Sequence, residues 1–514
     1  MLRQMICRIP LILLGIFLLS VAIRLPNLNR PLSKHHEFCT AITLIPLQNW
    51  ADNGAATYHY SPSITFEGAA NHHIENLTAY PVEADGRFYY LSHPPFAYLL
   101  PYFSFKIFGI YPTPLALQVF NLLFHFLSCL LIYYIVVLLC KNDENLTSNK
   151  LHFGALTAFL IYLFAPATLW FHGNAYMSDM FISNIFIFGL WLALKAYQSM
   201  KYAYIVGLCI TIFLMIYTEW LGNFFAFGVF IAALIFTFKS DSKHRKYWLA
   251  VTFACIAGVV LGLTLIFVQY SSIAGSETYL SYFEHRFFAR SGAKFTDTDL
   301  FSFLYKYLKL TRGVVKHYAV GFLPVLLFGM ALCGAFFFHS KKIIRQENIA
   351  VRYFWWIAGF PILMHHLIFI EFTVVHDFAV LKGGILIAVG IGLLIHRLPH
   401  SAPLRVGVLA TLSICIVQYY YINRPGEISQ NGDRYDMMQK LGEGIGKHST
   451  SDEIVFLNGY KPDPQVMYYA RRNMLRATDT LEVKKALKTR GFERGVLFTI
   501  DNYKIKRIDK VSLK

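Results

Sequence analysis

Charged residues are scarce in this chain of 514 residues. Lys, Arg, Asp and Glu make up only 15% of the sequence, whereas soluble domains typically carry about 25%. This scarcity argues against an ordinary soluble enzyme, and the 56% of hydrophobic residues argue against intrinsic disorder. Apolar runs about as long as a bilayer is thick recur along the chain, so we expect an integral membrane protein in contact with the lipid bilayer.

Several familiar site patterns are also missing. The eight cysteines include no C-x-x-C pair, and most of them lie in or beside apolar runs, where small buried side chains are expected. Zinc-finger spacing, heptad repeats and a basic tail do not occur. The net charge of +17 therefore indicates cytoplasmic loops and lipid phosphates, and we expect no nucleic-acid partner.

Alternating apolar and polar segments predict a polytopic α-helical membrane protein. A retained first span near 8–24 is followed by a polar outer loop, 25–93, and a second long outer loop covers 271–317. The positive-inside rule places three basic clusters in the cytoplasm, which leaves the N-terminus inside and the C-terminal region outside. The clusters contain Lys239 to Lys246, Lys341 to Arg345, and Arg397 with Arg405.

That topology requires about eleven spans, so one of three early apolar runs must fail to cross the membrane. The run 95–109 is short and contains Pro101, which makes it the first candidate for a re-entrant or interfacial helix. The run 152–170, which contains Pro166, is the second candidate, and 115–140 is the third run. Residues 1–424 are accordingly expected to form one transmembrane domain.

Residues 425–514 alternate helix-like and strand-like patterns and predict a small extracytoplasmic α/β domain. The string GEGIGK at 442–447 resembles a phosphate loop, but residue 441 is Leu where the Walker spacing needs Gly. It also does not follow a strand, and we interpret it as the end of a helix.

Two stretches of the first outer loop carry candidate chemistry. Lys34, His35, His36 and Glu37 stand together shortly after the first span, where they form either a site beside an anionic substrate or an ordinary interfacial polar cluster. His93 precedes two prolines that begin a helix, and the N-terminus of a helix favours an anion such as phosphate. A simple helix start would also explain this histidine.

The order of these motifs resembles the GT-C glycosyltransferases, and is similar in particular to the protein O-mannosyltransferases and the lipid A aminoarabinose transferases. The likeness is carried by an acidic motif after the first span, by LSHPPFAYLLPYFSFKIFG closing the outer loop, and by LFAPATLWFHGNAYMSDMF, in which Asp179 takes the place of a second acidic motif. A late HHLIFIEFTVVHDFAVL and the soluble tail DEIVFLNGYKPDPQVMYYARRN extend it over most of the chain.

The resemblance implies a GT-C-like membrane domain and a hexosyl- or pentosyltransferase of the cell envelope, in a bacterial inner (plasma) membrane. Such an enzyme moves a sugar from a polyprenyl-phosphate carrier to a glycan, lipid or protein acceptor on the non-cytoplasmic side, with inversion at the anomeric carbon. The family usually has Asp and then Glu in the first loop, whereas this chain has His36 and Glu37. Glu37 acts as the base, or His36 contributes, or the protein is a pseudoenzyme; we prefer Glu37.

Further residues are candidates for holding the phosphate leaving group or a metal. Asp179 is expected to be a second acid, a divalent-metal ligand with Glu37, or a helix N-cap. Metal dependence is left open, since the paired histidines lack the i,i+4 spacing of a zinc helix. The candidates for substrate binding, each of which lipid headgroups or an aromatic belt would also explain, are His93, Arg286, Arg290, Arg312, Lys316, His317, His376 and Asp377.

Two other functions fit parts of the sequence. A transporter or flippase for a lipid-linked or small polar substrate would need inverted repeats and charges near the bilayer midplane, and no internal duplication is visible. A non-catalytic assembly protein would leave the titratable groups of the first outer loop unexplained. The sequence therefore favours the transferase.

Overall fold

The computed structural model describes residues 2–33, 36–73, 82–141, 148–292, 300–339, 349–399, 401–422 and 436–513. Lys34, His35 and the basic cluster at 341–345 lie outside the described residues. Nineteen α-helices occur within these ranges. They are α1 (Leu2–Arg24), α2 (Glu37–Asn53), α3 (Phe96–Phe108), α4 (Pro114–Cys140), α5 (Ser148–Phe164), α6 (Pro166–Asn174), α7 (Ser178–Ser199), α8 (Tyr202–Ile216), α9 (Leu221–Lys239), α10 (Ser242–Ala274), α11 (Ser276–Ser291), α12 (Leu300–His339), α13 (Ile349–Ile368), α14 (Ile370–Val375), α15 (Leu381–Arg397), α16 (Ala402–Ile422), α17 (Met437–His448), α18 (Pro464–Ala470) and α19 (Thr480–Arg490).

Most of these helices form an apolar bundle, which confirms a polytopic membrane protein. Among the described residues, eight helices are long and apolar enough to cross a membrane, namely α1, α4, α7, α9, α10, α12, α15 and α16. The bent pair α5 and α6 provides a ninth if it counts as one span. The other two predicted spans correspond to α8 and α13, so the total of eleven stays a prediction.

The two prolines that marked the candidate non-spanning runs have different effects. Pro101 lies inside α3, which has only 13 residues and is shorter than the roughly 20 residues that a membrane crossing needs. Pro166 instead begins α6, and the preceding Ala165 is extended, as proline demands of its neighbour. The chain consequently bends by 57° between α5 and α6.

The two stretches predicted as long loops contain much helix. The first holds α2 and a small hairpin of β1 (Val82–Ala84) and β2 (Arg87–Tyr89). In the second, α11 follows α10 after a single glycine, and α12 begins at Leu300. The apolar segment expected from about 318 is thus the later part of a helix of 40 residues.

The C-terminal region is the predicted small α/β domain. Its sheet has the order β4-β3-β5-β6, with β3 parallel to β4 and β5, and with β6 antiparallel to β5. The string GEGIGK lies inside α17, as the absence of a Walker glycine predicted. The domain rests on the segment between α1 and α3, where α18 packs against α2. The strands are β3 (Ile454–Asn458), β4 (Met474–Arg476), β5 (Arg494–Asp501) and β6 (Lys504–Ser512).

Candidate active site

Buried ionisable side chains gather at one end of the helix bundle. They come from the start of α7, the turn between α8 and α9, the end of α13 and the start of α15, which the antiparallel course of the chain brings to the same end. The segment before α3 and the end of α11 add further side chains. The cluster consists of His93, Asp179, Glu219, Arg290, His365 and Lys382, all at most 5% exposed.

His93 is the centre of one half of this cluster. Its Nε2 lies 3.1 Å from Oδ2 of Asp179 and 2.8 Å from Nη2 of Arg290. Burial, and then Arg290, hold the pKa of His93 well below its usual range, so the ring is neutral at neutral pH. A neutral Nε2 either donates to Asp179 or accepts from Arg290, because it cannot do both.

The backbone around His93 is firmly held. The hydroxyl of Tyr270 donates to the carbonyl of His93 at 2.6 Å, while Arg286 and Arg290 donate to the hydroxyl of Ser92 at 3.0 and 3.1 Å. The two prolines that follow have no N–H, and the first available one, of Phe96, donates to the carbonyl of Tyr217. The arginine side chains are therefore better placed than the helix terminus to meet an anion here.

Asp179 is buried with unused hydrogen-bonding capacity. Its Oδ1 has no partner among the described residues, and neither has Nδ1 of His93. The N-cap of α7 is Met177, and no side chain caps this helix. The N-cap interpretation of Asp179 is therefore wrong, since its carboxylate turns into the cluster and does not bond the backbone of its own helix.

Glu219, His365 and Lys382 form the other half of the cluster. Nε2 of His365 lies 3.1 Å from Oε1 of Glu219 and 3.0 Å from Nζ of Lys382, whose distance to the carboxylate is 3.8 Å. Burial opposes the ionisation of Glu219, but Lys382 and His365 together lower the pKa of Glu219 below its usual value. Glu219 is therefore ionised beside a completely buried lysine.

The ring of Phe372 lies between the two halves. The guanidinium of Arg290 is 5.4 Å from the ring centroid, and Nζ of Lys382 is 5.7 Å from it. Within the cluster, Arg290 and Lys382 give two formal positive charges, and Asp179 and Glu219 give two negative ones. The partly buried Arg286 at the edge of the cluster adds a third positive charge, so the cluster together with Arg286 carries one surplus positive charge by formal count. Such a group is prepared to accept one further negative charge.

A cavity of about 210 Å³ opens beside this group. Its wall is mainly aromatic and aliphatic and comes from α8, α9, α10 and α11, whereas Ser92, Glu219 and Arg286 supply a polar end. A long apolar wall with a few convergent polar groups suits a lipid that carries a charged headgroup. The other lining residues are Leu91, Pro94, Ile216, Trp220, Asn223, Leu263, Ile266, Phe267, Tyr270, Tyr279, Leu280, Tyr282 and Phe283.

Glu37 begins α2 and is only 1% exposed. Its Oε1 accepts from Nη2 of Arg30 at 2.8 Å, and its Oε2 accepts from both the backbone N–H and the hydroxyl of Ser33. Burial raises the pKa of Glu37, an effect that Arg30 and Ser33 oppose. Both carboxylate oxygens are thus engaged within the protein.

His36 contacts a second polar group. Its Nε2 lies 3.0 Å from Oδ1 of Asp377, and the ring of His376 is 5.8 Å away. Burial, and then the charges of His36 and Arg290, lower the pKa of His376 to about 3. Asp377 and His317 line a separate cavity of about 20 Å³. His317, one of the predicted substrate-binding residues, thus lies next to Asp377, the partner of His36.

Arg312 and Lys316 are exposed on α12. Among the described residues, no hydrogen bond or ion pair joins either side chain to the buried cluster, and their assignment to substrate binding stays a prediction. No group of three or more His, Cys, Asp or Glu side chains within the described ranges is arranged to hold a metal ion.

Sequence reasoning missed two members of the cluster and undervalued a third. Lys382 follows VHDFAVL at the start of an apolar span, and an ionisable residue inside a span is a signal for a functional site. His365 belongs to one of the histidine pairs that lack the spacing of a zinc helix, and Glu219 stands alone in the sequence between two apolar runs. Nothing in the sequence indicates that these three residues meet, because they are up to 163 positions apart (219 to 382).

Solved structures share this fold over almost the whole chain. ArnT from Cupriavidus metallidurans bound to undecaprenyl phosphate matches with a TM-score of 0.58 and 13% identity, covering 94% of this chain and 93% of that one. The oligosaccharyltransferase AglB from Archaeoglobus fulgidus, in complex with an inhibitory peptide and a dolichol-phosphate, matches with a TM-score of 0.56 and 14% identity, covering 95% and 69%. No family model and no curated protein sequence matches the chain. The chain therefore has the fold of these two proteins, in agreement with the GT-C-like membrane domain that its motifs predict.

Proposed function

We propose that this protein is a membrane glycosyltransferase that moves a sugar from a polyprenyl-phosphate carrier to an acceptor on the non-cytoplasmic side. The observation that carries the proposal is the cavity whose apolar wall ends at Arg286 and Ser92, beside a buried cluster that together with Arg286 carries one surplus positive charge. ArnT and AglB have been solved with undecaprenyl phosphate and dolichol-phosphate, respectively, which supports a ligand of this class.

The apolar wall would hold the isoprenoid chain of the carrier, and the arginines would hold its phosphate. A sugar phosphodiester carries one negative charge, which matches the surplus charge of the cluster together with Arg286. When the bond between the sugar and the phosphate breaks, negative charge grows on the leaving oxygen. Arg286 and Arg290 are already oriented by Ser92, so they would stabilise that charge without reorganising.

The acceptor would attack the anomeric carbon in a single displacement, with inversion. A hydroxyl acceptor must lose its proton, and Asp179 is best placed to accept it because its Oδ1 is buried without a partner. Glu37 would first have to release Arg30 or Ser33, since both of its oxygens are engaged. We therefore assign the role of general base to Asp179, and Glu37 remains the alternative base that its sequence position suggests. His36 and Asp377 would lie on the acceptor side.

Binding of undecaprenyl phosphate to the purified protein in nanodiscs, measured by native mass spectrometry, tests the donor site. We expect the wild type to bind it and Arg286→Gln to bind about tenfold more weakly, as the loss of a charged hydrogen bond implies. Arg245→Gln is the matched control, because Arg245 is exposed at the start of α10. Equal binding by Arg286→Gln and the wild type would contradict this site.

Mass spectrometry of envelope glycans from a deletion strain tests the activity itself. A sugar that disappears on deletion should return with the wild-type gene and with Arg245→Gln, but not with Asp179→Asn. An unchanged set of glycans in the deletion strain would remove the basis for a transferase.

A further inference from the structure

The C-terminal domain touches the segment that holds Glu37. Helix α18 packs against α2, and two of its side chains reach the chain just before α2. The hydroxyl of Tyr469 accepts from the backbone N–H of Leu32 at 2.8 Å, and Nε2 of Gln465 donates to the backbone carbonyl of Ser33 at 2.7 Å. These two bonds span 432 and 437 positions of sequence, so only the tertiary structure creates them.

Ser33 faces the other way with its two remaining polar groups. Its N–H and its hydroxyl both donate to Oε2 of Glu37. The short segment Leu32–Ser33 is therefore bonded to the C-terminal domain on one side and to the buried carboxylate on the other. Any shift of this segment would move two of the three donors that bond Glu37 among the described residues.

A third contact joins the domain to the segment between α2 and β1. Asn473 accepts from the N–H of Phe66 at 3.2 Å, and its own N–H donates to the side chain of Asn71 at 3.0 Å. Both Asn71 and Asn473 are buried. Directional hydrogen bonds at both ends of the contact fix the orientation of the domain, because a polar group that loses its partner away from water is destabilising.

We propose that the docked C-terminal domain sets the place of Glu37, the alternative base, and that Tyr469 and Gln465 are positioning residues that act through Leu32 and Ser33. The domain then does more than cover the membrane part. Its docking fixes the segment whose Ser33 bonds Glu37. The kinetic consequence of this inference rests on the proposed transferase function, but the positioning itself does not.

Hydrogen exchange measured by mass spectrometry on the full-length protein in nanodiscs tests the positioning directly. Tyr469→Phe removes the hydroxyl that accepts from Leu32, so we expect the peptide containing Leu32 and Ser33 to exchange about tenfold faster. Tyr468→Phe is the matched control, because Tyr468 is the neighbouring residue of α18 and bonds Gln48 instead. Unchanged exchange in Tyr469→Phe, or equal acceleration in both variants, would overturn the inference.

Turnover of the same variants tests the consequence for the site. Because Tyr469 and Gln465 act through Glu37, we expect any loss of kcat in Tyr469→Phe or Gln465→Met to be no larger than the loss in Glu37→Gln and not to add to it, with the KM for the lipid donor unchanged. A parallel loss in Tyr468→Phe, or a change confined to the KM for the donor, would contradict a positioning role. If the wild type shows no transfer at all, the proposed function fails while the exchange experiment still decides the positioning.

Discussion

Replacing Lys382 by Met should reveal how strongly Lys382 and Glu219 stabilise each other inside the cluster. Nζ of Lys382 lies 3.8 Å from the carboxylate of Glu219, and both side chains are almost completely buried. With an effective dielectric constant of about 20, this separation corresponds to about 4 kcal/mol of attraction. Removing one partner of such a pair typically costs about 3–5 kcal/mol, because the other charge is left buried and unpaired.

A double-mutant cycle separates this pair energy from the loss of packing. The free energy of unfolding would be measured in mixed micelles for Lys382→Met, for Glu219→Gln and for the double variant. We expect each single change to destabilise by about 3 kcal/mol and the double variant to be destabilised by clearly less than the sum, with a coupling of about 2 kcal/mol. Additive effects, with a coupling below about 0.5 kcal/mol, would refute the reasoning.

Three further predictions follow from the same contacts. Because the pKa of Glu219 is depressed in the folded protein, the ionised side chain should stabilise the fold above its unfolded pKa of about 4.5. This contribution should be lost as the pH falls further, so the free energies of unfolding of the wild type and of Glu219→Gln should converge in acid. Asp179→Asn should lower turnover about 10²–10⁴-fold, whereas Glu37→Gln should lower the free energy of unfolding by about 1–3 kcal/mol; a larger turnover loss in Glu37→Gln would make Glu37 the base. Gly383→Ala should lower the free energy of unfolding by about 1–3 kcal/mol, because a Cβ there would overlap the ring of Tyr318. Thermal unfolding should show no such loss for the control Gly359→Ala, where the space is open.

Pairing between opposite charges explains why ionisable groups are tolerated in this position. A buried ion pair seldom stabilises a fold by itself, because desolvation consumes most of the attraction. Here the carboxylates of Asp179 and Glu219 hold the buried cations in place, and a phosphate would complete the balance. Burial is thus consistent with a site prepared for an anion.

Departures from the usual family pattern sit at the edge of this group. His36 stands where the family usually has Asp, and its ring pairs with Asp377. The backbone of His36 is left-handed, with φ at 55°, a conformation that non-glycine residues adopt seldom and often at functional sites. His36 thereby joins the segment before α2 to the segment preceding α15.

The sequence was enough to predict the membrane class, the order of the long apolar helices and the α/β character of the C-terminal domain. The length of apolar runs, the position of prolines and the periodicity of short segments are local properties. They can be recognised in the sequence without knowing which residues meet in space. Local patterns selected His93, and the family resemblance added Asp179, Arg286 and Arg290 as site candidates. Local patterns failed where polar segments fold by packing, as in α2 and the β1–β2 hairpin.

Only the tertiary structure decided which ionisable groups share a site. Lys382, Glu219 and His365 are distant in sequence, and each alone looks like an isolated polar residue at the end of an apolar helix. The antiparallel bundle places those ends together, and the pairing of opposite charges there offsets part of the cost of burying them. The same holds for Tyr469 and Leu32, since a hydrogen bond between residues 437 positions apart exists only once the C-terminal domain has docked.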